Sequence, residues 1–195
     1  TGGVPRYLEE IDPSQTAEQN IHRLCFDAGG LLFREFDDLF SSVFNRRADR
    51  YRSICQALSG PARTVTELSK ILDIGRGGIV TEALTELESG GFITTDLPFS
   101  PLGGTEKRIA KYRLSDNYVR FYLRYVEPEK KRIESGLYRK RALETLPQWD
   151  SIMGLQFENL VLSNRDSLLR HTDLANTPIL NAGPYFQGKT LRTEA

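Results

Sequence analysis

Residues 64–95 read TVTELSKILDIGRGGIVTEALTELESGGFITT, and the order of signals along them decides the fold. Thr64 and Glu67 have capping-box spacing: the Thr64 hydroxyl can accept from the Glu67 amide while the Glu67 carboxylate reaches back, which starts a helix. Val65, Leu68, Ile71 and Leu72 then recur at helical spacing and predict a single inward stripe, and Asp73-Ile74-Gly75 predicts a turn. A second helix follows with Ile79, Ala83, Leu84 and Leu87 inward. It ends at Ser89-Gly90-Gly91, where glycine permits a left-handed cap. Phe92 to Thr95 opens a strand of β-branched and aromatic residues.

Working outward, Tyr51, Ile54, Cys55 and Leu58 fall at i, i+3, i+4 and i+7 and predict a preceding helix stopped by Ser59-Gly60-Pro61. Downstream, Pro98 to Thr105 is loop-like and Arg108 to Leu114 can return as a second strand. Ala110, Tyr112 and Leu114 would lie on one face of it, and Ile109, Lys111 and Arg113 on the other. Three helices with a short turn before the third, then a two-stranded wing, is the winged helix-turn-helix arrangement over residues 48–114. Residues 17–45 predict two helices broken at Gly29-Gly30, the second burying Leu32, Phe36, Leu39, Phe40, Val43 and Phe44. Val119, Tyr122, Leu123 and Val126 mark a further helix that Pro128 ends or bends, and charged helical sequence continues from Glu129 to Leu137. A long helix from about Asp150 to Leu169 is expected to turn Met153, Phe157, Leu160, Val161 and Leu168 inward, with a short strand at 177–181. The expected fold is mainly α with small β: a winged helix flanked by helical segments and the beginning of an α/β domain. Its divisions are a helical lid end at 1–47, the winged helix at 48–126, and a helical linker with an incomplete C-terminal domain at 127–195.

Composition narrows the function. The 26 basic and 26 acidic residues cancel, which excludes a uniformly basic nucleic-acid coat. The charge is nevertheless segregated, −5 over residues 1–45 and +6 over residues 101–144. Two cysteines and two histidines leave no disulfide framework and no metal-ligand spacing, so no metal and no resident cofactor is expected in this chain, and a reducing cytoplasm is the simplest setting. No apolar run approaches the ~20 residues needed to cross a bilayer. The chain opens Thr1-Gly2-Gly3 without an initiator Met, which suggests an internal piece of a longer protein.

Three dispersed runs carry a resemblance: Thr1-Gly2-Gly3-Val4-Pro5-Arg6-Tyr7-Leu8; Arg113-Leu114-Ser115-Asp116-Asn117-Tyr118-Val119-Arg120-Phe121-Tyr122; and Trp149-Asp150 with Gly154-Leu155-Gln156-Phe157-Glu158-Asn159-Leu160-Val161. Together they resemble the C-terminal part of the archaeal-type, AAA-related P-loop ATPases: the end of the ATPase lid, the exit from the wing, and a C-terminal domain of unknown function. The resemblance implies a parent that uses ATP and Mg, with its nucleotide-binding core upstream of Thr1 and Arg6 near the lid end as a sensor-type arginine. It also implies that the C-terminal domain is similar to PD-(D/E)xK nucleases, with Glu158 at the position of the first, helix-borne acid. The remaining acids of that site have no counterpart before Ala195.

Several motifs are weighed against plainer readings. Gly183 to Thr190 fits G-x-x-x-x-G-K-[ST], but Pro184 removes a backbone donor, Tyr185 and Phe186 add bulk, and only five residues remain for the helix that must follow. A strand and turn packed on the C-terminal domain is the plainer reading. On the third helix, Arg76 and Thr81 can reach phosphate or a base edge, but Glu82 and Glu86 oppose phosphate. On the wing, Lys107, Arg108, Lys111 and Arg113 would lie along a DNA backbone or minor groove, whereas the bland alternative is a solvated strand with Arg113 tied to an acid of the first helices. Lys130, Lys131, Arg132, Arg139, Lys140 and Arg141 would extend that footprint or pair with Glu127 and Glu129 along a helix. Glu158, beside an inward Phe157, is suggestive because a buried carboxylate requires a partner, yet one carboxylate neither fixes a metal nor positions a water. The leading expectation is a winged-helix DNA-binding or regulatory portion of an AAA-related ATPase, with DNA, the rest of the parent and a homo-oligomer as partners and no membrane. The alternatives are a protein-interaction hinge between ATPase and effector domains, or an incomplete PD-(D/E)xK-type nuclease.

Overall fold

A computed structural model describes residues 4–44, 47–75, 78–97 and 109–172. The protein is mainly helical with one small sheet. Helices α1 (Pro5–Glu9), α2 (Ala17–Cys25) and α3 (Leu31–Phe44) lead into α4 (Ala48–Ala57), α5 (Val65–Ile71) and α6 (Gly78–Ser89). Strands β1 (Ile93–Asp96) and β2 (Lys111–Leu114) pair antiparallel with Ile93 opposite Leu114 and Asp96 opposite Lys111. Then come α7 (Asn117–Phe121), a wide π turn at Tyr122–Val126, a 3-10 turn at Glu127–Glu129, α8 (Lys130–Glu134), α9 (Trp149–Ser163) and α10 (Arg165–Arg170). Pro128, which has no amide hydrogen to give, sits in that 3-10 turn, where the regular helix has already stopped. No helix among the described residues is long and apolar enough to cross a membrane.

The local signals act as their chemistry requires. Thr64 Oγ1 accepts from the Glu67 amide at 3.2 Å and the Thr64 amide donates to Glu67 Oε2 at 2.7 Å, so the capping box forms. Hydrogen bonding from the Thr64 amide holds the Glu67 carboxyl below its ordinary value. Its contribution to stability is therefore complete at neutral pH and is lost as the pH falls through that lowered value. Thr64→Ala is expected to cost about 1 kcal/mol in urea unfolding at pH 7, with Thr64→Ser close to wild type. An Ala variant as stable as wild type would mean that α5 is held by packing alone. Gly91 adopts φ +77° just after α6, a conformation a side chain would strain, and Phe92 is thereby turned into the core.

The core is one cluster of buried residues running from Tyr7 to Ile152, so the first helices and the following units share an interior. Its spine is the aromatic face of α3. Phe36 stacks on Tyr122 with ring centroids 4.1 Å apart, Phe40 meets Phe92, and Phe44 stacks on Tyr51 at 4.2 Å. One helix face thus clamps the π turn, the entry to β1 and α4. The predicted stripe of α4 is fully inward, with Tyr51, Ile54, Cys55 and Leu58 all buried. Several expected inward positions lie outward: on α3, Val43 is 49% exposed while Phe33 is buried. Val80, not Ile79, is the inward residue at the start of α6, and Ile79 is 48% exposed; at the end of α5, Ile71 is 50% exposed. Both exposed isoleucines stand at helix ends, while Leu68, Ala83, Leu84 and Leu87 supply the buried faces of α5 and α6.

Candidate functional site

Every charged residue of α6 is an acid. Within Gly78–Ser89 there are three glutamates and no Lys or Arg. Each is engaged by its own fold: Arg47 Nη1 lies 3.3 Å from Glu82 Oε1 and 3.0 Å from Glu86 Oε1, Tyr51 donates its hydroxyl to Glu86, and Glu88 Oε1 accepts from the Thr95 amide at 2.9 Å. The Tyr51 hydroxyl, helped by Arg47, holds the Glu86 carboxyl below its ordinary value, so Glu86 stays anionic through the neutral range. Thr81 is exposed on this helix, and its carbonyl accepts from Thr85 Oγ1 at 3.0 Å. Exposed Ile71 and Ile79 stand on either side of the turn that opens with left-handed Asp73.

Of the other residues expected to touch nucleic acid, Arg76, Lys107 and Arg108 lie outside the described residues, as do the strand at 177–181 and the Gly183–Thr190 motif. Lys111 is half-buried at the start of β2, opposite Asp96, and its charge reaches the Glu67 carboxylate.

A buried polar node joins the sheet, α7 and α9. Arg113 donates from Nε to Asp96 Oδ2 at 2.9 Å and from Nη1 to Asn159 Oδ1, with all three side chains buried. The acid that pairs with Arg113 is thus on the neighbouring strand, one diagonal step across the ladder, and not on the first helices. Asn159 Nδ2 donates to the Leu114 and Ser115 carbonyls at 3.2 and 3.0 Å and to Asn117 Oδ1 at 2.8 Å. Arg120, 0% exposed, donates from Nη2 to the same Leu114 carbonyl. Its Nε and Nη1 have no partner among the described residues. Burial, reinforced by neighbouring Arg113, pulls Arg120 down to about 10, and the Glu158 and Asp116 carboxylates oppose that fall. The node therefore contains two guanidinium groups in a dry setting where every nearby carboxylate matters.

Arg113, read from the sequence as a wing cation, is buried in this pair, and none of Arg120, Asp96 or Asn159 stood out from the sequence as a site residue. The available signal was a lone cation inside the aromatic run Tyr118-Val119-Arg120-Phe121-Tyr122.

Glu158 is half-buried on α9 and acts on Arg120. It is not flanked by an inward Phe157. The helix is rotated so that Ile152 and Asn159 face the core, while Phe157 is 66% and Leu160 57% exposed and Val161 and Leu168 also lie outward. Asn159 holds this rotation through inner-side partners: it donates to the Ser115 carbonyl and Asn117 Oδ1 and accepts from Arg113, bonds an apolar residue there would remove. A break at Asn164 separates α9 from α10, where one continuous helix was expected.

Cys25 and Cys55 are both buried, and burial pushes the Cys25 thiol up to about 12 and that of Cys55 higher still, so neither is an activated nucleophile. Among the described residues, no group of three or more His, Cys, Asp or Glu is placed to hold a metal ion.

No protein-family model and no solved structure matches the chain. It is 24% identical over 160 residues to an uncharacterized protein of Methanocaldococcus jannaschii, an alignment covering 81% of this chain and 34% of that protein. The chain thus spans about a third of the length of the relative it matches.

Proposed function

We propose that this chain is a regulatory, protein-docking winged-helix portion of an AAA-related ATPase, and that its third helix meets protein and not DNA. What carries the reading is the chemistry of α6: three glutamates, no cation within the helix, and exposed Ile71 and Ile79 beside its entry. A duplex carries about one negative charge per 1.7 Å, and a helix of this sign raises the cost of approach. A protein partner gains from the two isoleucines, and the glutamates already have partners within the fold in Arg47 and the Thr95 amide.

The order of elements supports the winged-helix part of the proposal. Three helices, α4 to α6, precede a strand pair, and Arg63 is bridged to Tyr112 by two backbone hydrogen bonds of 2.9 and 2.7 Å, which tie the entry of α5 to the sheet. The ATPase part rests on the three sequence runs described above. In this reading ATP and Mg belong to the parent's nucleotide-binding core. Glu158 then serves as a counter-charge to Arg120 and not as a nuclease carboxylate.

The test is a pair of substitutions on α6 in the full-length protein, Ile79→Asp and Thr81→Arg, read by ATP hydrolysis and by fluorescence anisotropy with a labelled duplex. Both side chains are exposed, so folding is expected to be retained. The expected result is a change of about tenfold in ATP turnover with Ile79→Asp, because a central apolar anchor is removed, and no change in duplex affinity. Unaltered turnover together with a duplex affinity that rises with Thr81→Arg and falls with Thr81→Ala would return the helix to DNA recognition.

A further inference from the structure

The basic segment at 129–141 is not a solvated tail. It carries six Lys or Arg against two acids, a net +4 over thirteen residues, and it is folded back on itself. After α8 the chain turns at Gly136, with φ +69°, and the Leu137 and Tyr138 amides both donate to the Arg132 carbonyl at 2.8 and 2.9 Å. The returning segment is then anchored to α2 and the residue that follows it. The Tyr138 ring stacks on Phe26 with centroids 4.9 Å apart, His22 Nε2 is 3.0 Å from the Arg141 carbonyl, and Glu18 accepts from the Leu143 amide at 3.0 Å. Glu129 is gripped from two sides, by Arg132 at 3.3 Å and Arg141 at 3.2 Å, which brings the two ends of the segment together. Lys130 is committed to Asp37. Lys131, Arg139 and Lys140 remain exposed, with no partner among the described residues.

We propose that residues 129–141 form a preorganised platform for the phosphodiester backbone of a nucleic acid, separate from α6. Exposed cations without a surrounding apolar core suit a polyelectrolyte: their gain comes from releasing condensed counterions and requires no desolvated centre. The same side chains gain little from a protein carboxylate, since exposed ion pairs contribute roughly 0–1 kcal/mol each. They also fall short of a membrane anchor. Leu137 is the one large apolar side chain of the segment that is well exposed, and one leucine contributes about 1.5–3 kcal/mol of burial. The anchoring to α2 removes the ordering entropy that a loose basic tail would lose on binding.

The test uses the full chain and a fluorescein-labelled DNA duplex, with anisotropy measured from about 50 to 300 mM salt, across which counterion release dominates affinity. The combined Lys131→Ala, Arg139→Ala and Lys140→Ala substitutions are expected to lower the slope of log affinity against log salt by about 2.7, close to 0.9 for each phosphate no longer neutralised. The melting temperature should stay at the wild-type value, because none of the three side chains holds the fold. Lys111→Ala and Thr81→Ala should leave the slope unchanged. An unaltered slope in the triple variant would overturn the proposal, as would displacement of the duplex by polyglutamate at equal charge concentration or tighter binding to phosphatidylserine vesicles. The α6 reading fails on unaltered ATP turnover with Thr81-dependent duplex affinity, and this one on an unaltered salt slope in the triple variant, so the two failures are separate outcomes.

Discussion

Replacing Asp96 by alanine should lower the stability of the protein by about 3–5 kcal/mol, measured as the shift in urea unfolding. Asp96 and Arg113 are both buried and lie 2.9 Å apart, and Asn159 takes up the other side of the guanidinium. Removing the carboxylate leaves a cation without compensation in a region that already contains buried Arg120. The pair itself need not be a large net stabiliser, because taking two charges out of water costs nearly as much as their attraction returns. The double variant Asp96→Ala with Arg113→Met is therefore expected to recover most of the loss. A single variant less than about 1 kcal/mol below wild type would mean that Arg113 finds water or another carboxylate, and that the node does not hold α9 to the sheet.

Phe36→Ala is expected to cost a similar 3–5 kcal/mol, from lost transfer energy and a cavity that stiff neighbours cannot close. Phe36 is fully buried between Phe40 and Tyr122, its ring parallel to Tyr122 within 2°. Arg52 lies over the same ring at 5.0 Å and is paired with Glu127 and Asp37, so the cavity would open under a charged network that bridges α4, α3 and the 3-10 turn. Phe36→Leu should cost markedly less, since most of the volume is retained. Thermal unfolding followed by circular dichroism distinguishes the two. Equal losses for Leu and Ala would show that ring stacking, and not filled volume, is what matters at this position.

Much of the architecture was legible because its causes are local. The Thr64–Glu67 box, the glycine cap after α6 and the fully inward stripe of α4 depend on side chains within a few residues of one another. Rotations of a helix about its axis were not legible. α6 carries apolar residues at both 79 and 80, and α9 carries them almost all round, so periodicity allows more than one inward face. The choice fell to residues that periodicity ignores. Asn159 holds α9 in its rotation through hydrogen bonds to the 114–117 segment, with Phe157 and Leu160 outward.

The candidate sites show the same division. That residues 101–144 are basic and residues 1–45 acidic is a property of the sequence alone. Which of those charges remain free is decided by pairs between residues far apart along the chain: Asp37 with Lys130, Glu127 with Arg52, and Arg47 with Glu82 and Glu86. The sequence by itself determined the mainly helical elements, their order, and the short strand pair, because caps, turns and spacing act within one or two turns of chain. Only the tertiary structure decided that Arg113 and Arg120 are buried, that the α6 glutamates are already engaged, and that Lys131, Arg139 and Lys140 stand exposed on an anchored fold-back. A charge's partner is set by what packing brings within a few ångströms, and in a low-dielectric interior that distance outweighs any count of charges.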